Sequence, residues 1–109
     1  MNTRIKLNKR KMQLLHGAVQ GWQNSGSYLA QKYSGECDDL RLRLWSMHVC
    51  APWNKEAKVR FTSDETKALE CAVSFKLGCT PTCAKDYYEL QDLFYIFGKA
   101  NLYFRLMEE

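Results

Sequence analysis

Residues 36–51 read ECDDLRLRLWSMHVCA, and this stretch decides between a helical and a strand-rich fold. The central LRLRL suits a strand, because alternate leucines would share one face, but the alternation fails at Ser46. In a helix the same residues form an apolar stripe that continues for about four turns. The members of that stripe are Cys37, Leu40, Leu44, Met47 and Ala51. Because the helical pattern is the longer one, the sequence predicts a helix.

The charged residues of this stretch favour the same interpretation. Asp38 and Asp39 are expected in the first turn, where carboxylates interact favourably with the positive end of the helix dipole. Asp39 precedes Arg43 by four residues and Asp38 precedes Arg41 by three. Such pairs each stabilise a helix by roughly 0.2–0.5 kcal/mol, so the local electrostatics also predict a helix.

Apolar stripes and capping residues predict two more helices in the first third of the chain. Asn8 is the expected N-cap of the first helix, because its side-chain oxygen can accept from backbone amides two or three residues on. The stripe of this helix consists of Met12, Leu15, Val19 and Trp22. A short helix, YLAQKY, is expected after Ser27, and Ser34 with Gly35 is expected to break the chain before the next helix.

Two long helices are predicted in the second half. The sequence TSDE is a capping box in which Thr62 or Ser63 is the cap and Glu65 reaches back to it, and the helix that it begins should end at Gly78. The last helix is expected after a cap at Thr82. Its stripe consists of Tyr87, Leu90, Phe94 and Phe97. Residues 99–109 suit either a helix or an edge strand, and the pattern leaves both open.

A small sheet is the remaining expected element. Residues 58–62, KVRFT, alternate Val59 and Phe61 with polar side chains, which is typical of a short strand. Its partner is either residues 3–7 or residues 101–107, since both alternate in the same way. The predicted fold class is therefore mainly α, a compact bundle of four to five helices with a small accessory β-hairpin or sheet.

The length, composition and charge predict one helical domain, 1–109, with a basic N-terminal segment, 1–11. A chain of 109 residues matches the usual size of one domain, and 46 % hydrophobic with 26 % charged residues is a globular composition. The net charge is +4, and residues 1–35 contain six bases and no acid. Five of these bases are candidate phosphate contacts in a nucleic-acid-binding protein. They are Arg4, Lys6, Lys9, Arg10 and Lys11.

The apolar runs of the sequence indicate neither a membrane span nor a secretion signal. The longest uncharged run near the C-terminus, LFYIFG, is far shorter than the roughly 20 apolar residues that cross a bilayer. The N-terminal residues contain no apolar block of signal-peptide length. The expected location is the cytoplasm, with no membrane partner.

The five cysteines are expected to be mostly reduced thiols, because disulfide frameworks occur chiefly in small secreted chains. A structural zinc site is an alternative, and it would combine His48 and Cys50 with Cys79 and Cys83. Cys83, expected at the start of the last helix, is a weaker candidate nucleophile. The sequence contains no glycine-rich phosphate loop, so we expect no cofactor and no enzymatic activity.

The aromatic residues point to a protein-binding function. Trp, Tyr and Arg are the usual anchors of protein interfaces, and the candidates are Trp45, Trp53, Tyr87 and Tyr88. We expect a non-catalytic protein-binding module or small inhibitor. It could be an accessory protein of a virus or mobile element that blocks a host enzyme, and a homodimer is an open alternative. The other candidate function is nucleic-acid binding through the basic segment.

Overall fold

The computed structural model describes residues 2–52 and 55–108 of the chain. In these residues three helices follow the first strand and two helices follow the second. The strands are β1 (Asn2–Asn8) and β2 (Glu56–Thr62). The helices are α1 (Lys9–Asn24), α2 (Tyr28–Lys32), α3 (Ser34–Cys50), α4 (Ser63–Gly78) and α5 (Tyr87–Glu108). The predicted mainly α fold with a small sheet is confirmed. Within this part of the chain no helix is both long enough and apolar enough to cross a membrane.

Helices α1 and α4 form the centre of the molecule. Helix α3 packs chiefly against α1, and α5 packs chiefly against α4, so α3 and α5 lie on opposite flanks of the central pair. The largest fully buried side chains come from all these elements and from the sheet. They include Leu7, Leu15, Leu40, Phe61, Leu69 and Phe97. One continuous core therefore holds the helices and the sheet together.

Strands β1 and β2 pair antiparallel, with Asn2 opposite Thr62 and Asn8 opposite Glu56. Ile5 and Leu7 of β1 and Val59 and Phe61 of β2 point into the core and are buried. This finding confirms the expected strand and resolves its partner. Residues 3–7 form the partner strand, whereas residues 101–107 belong to α5.

The stretch that decided the fold is helical, as predicted, but α3 begins earlier than expected. It starts at Ser34, and Gly35 lies in its first turn, so the expected break at these two residues is wrong. Small residues are tolerated there because the first amides of a helix need no intrahelical partner. Glu36 is the acid of the first turn, and Arg43 pairs with Glu65 of α4 at 3.2 Å rather than with Asp39.

Side-chain caps fix the starts of two helices, as the sequence predicted. Asn8 Oδ1 accepts a hydrogen bond from the Lys11 amide at 2.8 Å, which caps α1. Thr62 and Glu65 form the complete capping box of α4, because each side chain accepts from the other residue's backbone amide, at 3.2 Å and 2.9 Å. The change from strand to helix is therefore fixed by one polar side chain after β1 and by two after β2.

Helix α5 is continuous to Glu108, so the open alternative of helix or edge strand is resolved as helix for residues 99–108, and residue 109 lies outside the described residues. The helix begins at Tyr87, later than the expected cap at Thr82. Its buried face is formed by Leu90, Leu93, Phe97, Asn101 and Phe104. Phe94 was expected in the core but is 40 % exposed, because it lies beside the buried face of α5 and not on it. Gly98 does not end the helix; a Cβ at this position would lie 3.0 Å from Glu70 Oε2 of α4.

Candidate docking surfaces

Large apolar side chains are exposed along the side of α5 that faces away from α4. Tyr88 and Tyr95 are each 70 % exposed, Leu102 is 54 % exposed and Leu106 is 64 % exposed. Residues spaced by 7, 7 and 4 positions on a helix share one face. We call these four residues the α5 outer face. It lies opposite the buried stripe of the same helix, so α5 is apolar on two sides.

A recess interrupts the α5 outer face at Gly98, where the helix has no side chain. Its volume is about 630 Å³. The lining residues are Gln91, Phe94, Tyr95, Gly98, Lys99 and Leu102. The recess lies directly beside the exposed ring of Tyr95, so a protruding ring and an open cavity are neighbours on one surface.

A second exposed surface lies on α3 and contains Trp45, which is 52 % exposed. The indole ring contacts two histidines: the ring centroids of His16 and Trp45 are 5.4 Å apart, and those of Trp45 and His48 are 5.0 Å apart. We call these three residues the Trp45 cluster. Leu42 and Val49, 70 % and 56 % exposed, lie on the same side of the helix.

Polar groups surround the Trp45 cluster. Gln23 of α1 donates to Asp38 at 2.8 Å and accepts from Arg41 at 2.7 Å, so these two α3 residues are held beside the ring. Burial lowers the pKa of His16 below its ordinary value, and the charge of Arg41 and the neighbouring His48 lower it further. His16 is therefore neutral at neutral pH, and the cluster is a tilted stack of rings at a polar edge.

The structure places the predicted protein-binding residues on different surfaces. Trp45 lies on α3, whereas Tyr87 and Tyr88 lie at the start of α5 and contact each other edge to face at 5.8 Å. Tyr88 is exposed and Tyr87 is half-buried. Trp53 lies outside the described residues. Tyr95, Leu102 and Leu106 were not among the sequence candidates, although their spacing from Tyr88 was visible in the sequence.

The structure also divides the predicted nucleic-acid-binding residues. Arg4 and Lys6 are exposed on the outer side of the sheet. Arg10 forms ion pairs with Asp86 and Glu89, the second at 3.5 Å, so its charge is already paired with carboxylates of the same chain. Lys9 and Lys11 are half-buried at the start of α1. The predicted cluster of five is therefore separated by the turn from β1 into α1.

The pairing of the strands adds two bases that the sequence argument did not include. Arg4 lies opposite Arg60, and Lys6 lies opposite Lys58. All four side chains are exposed. The sequence signal was present, because Lys58 and Arg60 alternate with the buried Val59 and Phe61, but it became a cluster only once the partner strand was known. We call Arg4, Lys6, Lys58 and Arg60 the basic sheet face.

The cysteines do not form a site. Among the residues that the structure describes, no group of three or more His, Cys, Asp or Glu side chains could hold a metal ion, so the zinc alternative gains no support. Cys83 is exposed and precedes the first residue of α5 by four positions, so its expected place at the helix start is wrong. Burial raises the pKa of the Cys37 thiol to about 11, which makes this residue a packing group.

Comparison with protein-family models, with curated proteins and with solved structures finds no match to this chain.

Proposed function

We propose that this chain is a non-catalytic protein-binding protein that docks through the α5 outer face. The observation that carries the proposal is the exposure of Tyr88, Tyr95, Leu102 and Leu106 on one side of a helix whose opposite side is buried. Contiguous exposed apolar patches mark interaction sites on soluble proteins. Tyrosine is also one of the residues that contribute most of the binding energy of an interface. The α5 outer face has both properties.

The proposed partner is a second copy of this chain, because the charges beside the α5 outer face are self-complementary. Asp92 and Lys99 are both exposed, lie seven residues apart, and flank the same edge of the apolar stripe. In a two-fold dimer the same surface patch of each copy meets its counterpart. When the two helices are antiparallel, Asp92 of one copy lies beside Lys99 of the other. The same ion pair forms twice.

The shape of the surface supports the same arrangement. The two-fold axis that pairs these charges passes close to Tyr95, which lies between them in the sequence. Each copy then offers the protruding ring of Tyr95 and the recess at Gly98 to the other. Tyr88 meets the other copy between Leu102 and Leu106. Because a two-fold interface is self-complementary, a patch that carries both a protruding ring and a cavity can pack against a second copy of itself.

The size of the face predicts a weak, reversible dimer. Tyr88 and Tyr95, each 70 % exposed, offer roughly 200–350 Å² together, if an aromatic side chain can bury about 150–250 Å². Stable interfaces bury about 800 Å² on each partner. The leucines add to the tyrosines, but the contact stays at the small end of the range. We therefore expect a dimer that dissociates on dilution.

Sedimentation velocity over a wide range of protein concentrations tests the proposal. The sedimentation coefficient of the wild-type protein should rise with concentration. Tyr95→Lys should keep the protein monomeric, because it places two ammonium groups near the two-fold axis. Tyr28→Lys is the matched control, since Tyr28 is 80 % exposed on α2 and undergoes the same chemical change. It should associate like the wild type.

A charge exchange tests the antiparallel arrangement separately. Lys99→Asp should weaken the dimer, because Asp92 of each copy then faces another carboxylate. Asp92→Lys should weaken it in the same way, and the double variant Asp92→Lys/Lys99→Asp should restore it. A protein that is monomeric at every concentration, or a Tyr28 variant that loses association as Tyr95→Lys does, would overturn the proposal. A double variant without recovery would overturn the antiparallel geometry.

A further inference from the structure

The basic sheet face places positively charged side chains directly opposite each other on two paired strands. The four bases form two cross-strand pairs, Arg4 with Arg60 and Lys6 with Lys58. Like charges placed directly opposite each other destabilise a pair of strands. None of the ion pairs in the described part of the chain includes any of these four bases. These bases therefore form a cluster of like charge in which no carboxylate of the described residues makes an ion pair.

From this arrangement we infer that the basic sheet face binds the phosphate backbone of double-stranded DNA. The inference concerns a different surface from the α5 outer face and does not depend on the proposed dimer. Counterions released from DNA phosphates provide most of the free energy when lysine and arginine bind a duplex. An anionic surface would also reduce the repulsion between the paired bases, because nearby phosphates would compensate their positive charges.

The dimensions of the sheet match a duplex. Side chains two residues apart on one strand are separated by about 7 Å, and neighbouring strands are about 4.8 Å apart. The four charges therefore occupy a small rectangle at the surface. A two-stranded antiparallel ribbon is narrow enough to enter the major groove of B-form DNA, which is about 12 Å wide. The long side chains can reach phosphates on both sides of the groove.

The other residues of this face distinguish a duplex from other polyanions. The remaining side chains on the outer side of the sheet are those of Asn2, Asn8, Glu56 and Thr62. None of these is aromatic, whereas proteins that bind single strands use aromatic rings as stacking platforms. None is a large apolar side chain that could enter a lipid headgroup layer. Glu56 is the acid of this face, and it lies at the end of β2, opposite Asn8.

The binding should be independent of base sequence and strongly dependent on salt. Each phosphate contact contributes about −0.9 to the slope of log K against log salt concentration. If all four bases make contacts, the slope should be roughly −3 to −4. The deep and narrow major groove of RNA duplexes does not admit such a ribbon, so double-stranded RNA should bind less tightly.

Fluorescence anisotropy with a labelled DNA duplex, measured at several salt concentrations, tests this inference. The double variant Lys58→Gln/Arg60→Gln should weaken binding and make the slope less steep by about 2. Arg4→Gln/Lys6→Gln, on the other strand, should do the same. The matched control is Lys32→Gln/Lys85→Gln, which removes the same charge from two exposed residues outside the sheet. Its slope should equal that of the wild type.

The two sheet variants should remain folded, because each removes one member of both repulsive pairs. Their thermal unfolding midpoints should equal or exceed that of the wild type. Competition with double-stranded RNA, single-stranded DNA and anionic vesicles gives the remaining outcomes. Tighter binding to any of these three than to duplex DNA would overturn the inference. Failure to bind the duplex at low salt, or an equal loss of binding in the control variant, would overturn it as well.

Discussion

The exposed faces of α3 and α5 both carry large apolar side chains, but their surroundings differ. Trp45 on α3 already contacts His16 and His48, and polar groups of Asp38 and Arg41 lie beside it. On α5 two exposed rings and two exposed leucines share one side of the helix, beside the recess at Gly98. A single exposed tryptophan is therefore a weaker sign of docking than several apolar side chains exposed on one side of a helix.

The largest expected effect is a difference in the free energy of unfolding between substitutions on the buried side and on the exposed side of α5. Phe97 is fully buried and meets Phe61 of β2 at a centroid distance of 5.9 Å. Phe97→Ala should lower the free energy of unfolding by about 3–5 kcal/mol, because it leaves a cavity between α5 and the sheet. Tyr95→Ala, two residues away, should change the stability of the monomer by no more than about 0.5 kcal/mol. Urea denaturation of dilute samples measures both, and equal losses would contradict the assignment of the two sides.

A smaller effect is expected where α3 is tied to the sheet and to α4. Arg43 donates to Glu65 at 3.2 Å and to the Arg60 carbonyl at 3.0 Å, and its guanidinium lies 5.1 Å from the centre of the Phe61 ring. The Glu65 side chain is 11 % exposed, so losing its partner costs more than losing a surface contact. Arg43→Ala should lower the free energy of unfolding by about 1–3 kcal/mol.

The control for that measurement is Arg41→Ala on the same helix. Arg41 donates at 2.7 Å to the neutral, half-buried side chain of Gln23, and its loss should cost less than about 1 kcal/mol. If both arginine variants lose the same stability in urea denaturation, the tie between α3 and the sheet is not a stabilising contact.

The smallest effect is a pH dependence that belongs to the Trp45 cluster. The pKa of His16 is lowered in the folded protein, so the unfolded chain binds the proton more readily. The free energy of unfolding should therefore rise with pH through the range below about 6.5 and level off above it. His16→Gln should make this rise smaller, which denaturation curves at several pH values would show. An unchanged pH dependence would mean that His16 titrates alike in both states.

Local patterns in the sequence were sufficient for most of the helices and their caps. The stripe from Cys37 to Ala51 predicted α3, and the polar groups of Asn8, Thr62 and Glu65 predicted two helix starts. The start of α3 and the full length of α5 were harder to predict, because they depend on packing. Glycine often follows the end of a helix, yet Gly98 lies inside α5, where this helix passes close to Glu70.

The candidate surfaces were less predictable than the fold, for a physical reason. The basic sheet face exists only because β1 pairs with a strand from the middle of the chain, which brings Lys58 and Arg60 to Arg4 and Lys6. Local spacing does not contain that information. The α5 outer face could have been found from spacing alone. The predicted core stripe included Phe94, which is exposed, and left out Leu93, which is buried.

The pairing of Asn2 with Thr62 closes a loop of about 60 residues, and α1, α2 and α3 all lie inside it. Closing a loop of this length costs chain entropy that grows with the logarithm of its length. The contacts of α1 with α3 shorten the effective loop before the strands meet. We therefore expect α1, α2 and α3 to form their contacts first during folding and β1 to pair with β2 afterwards.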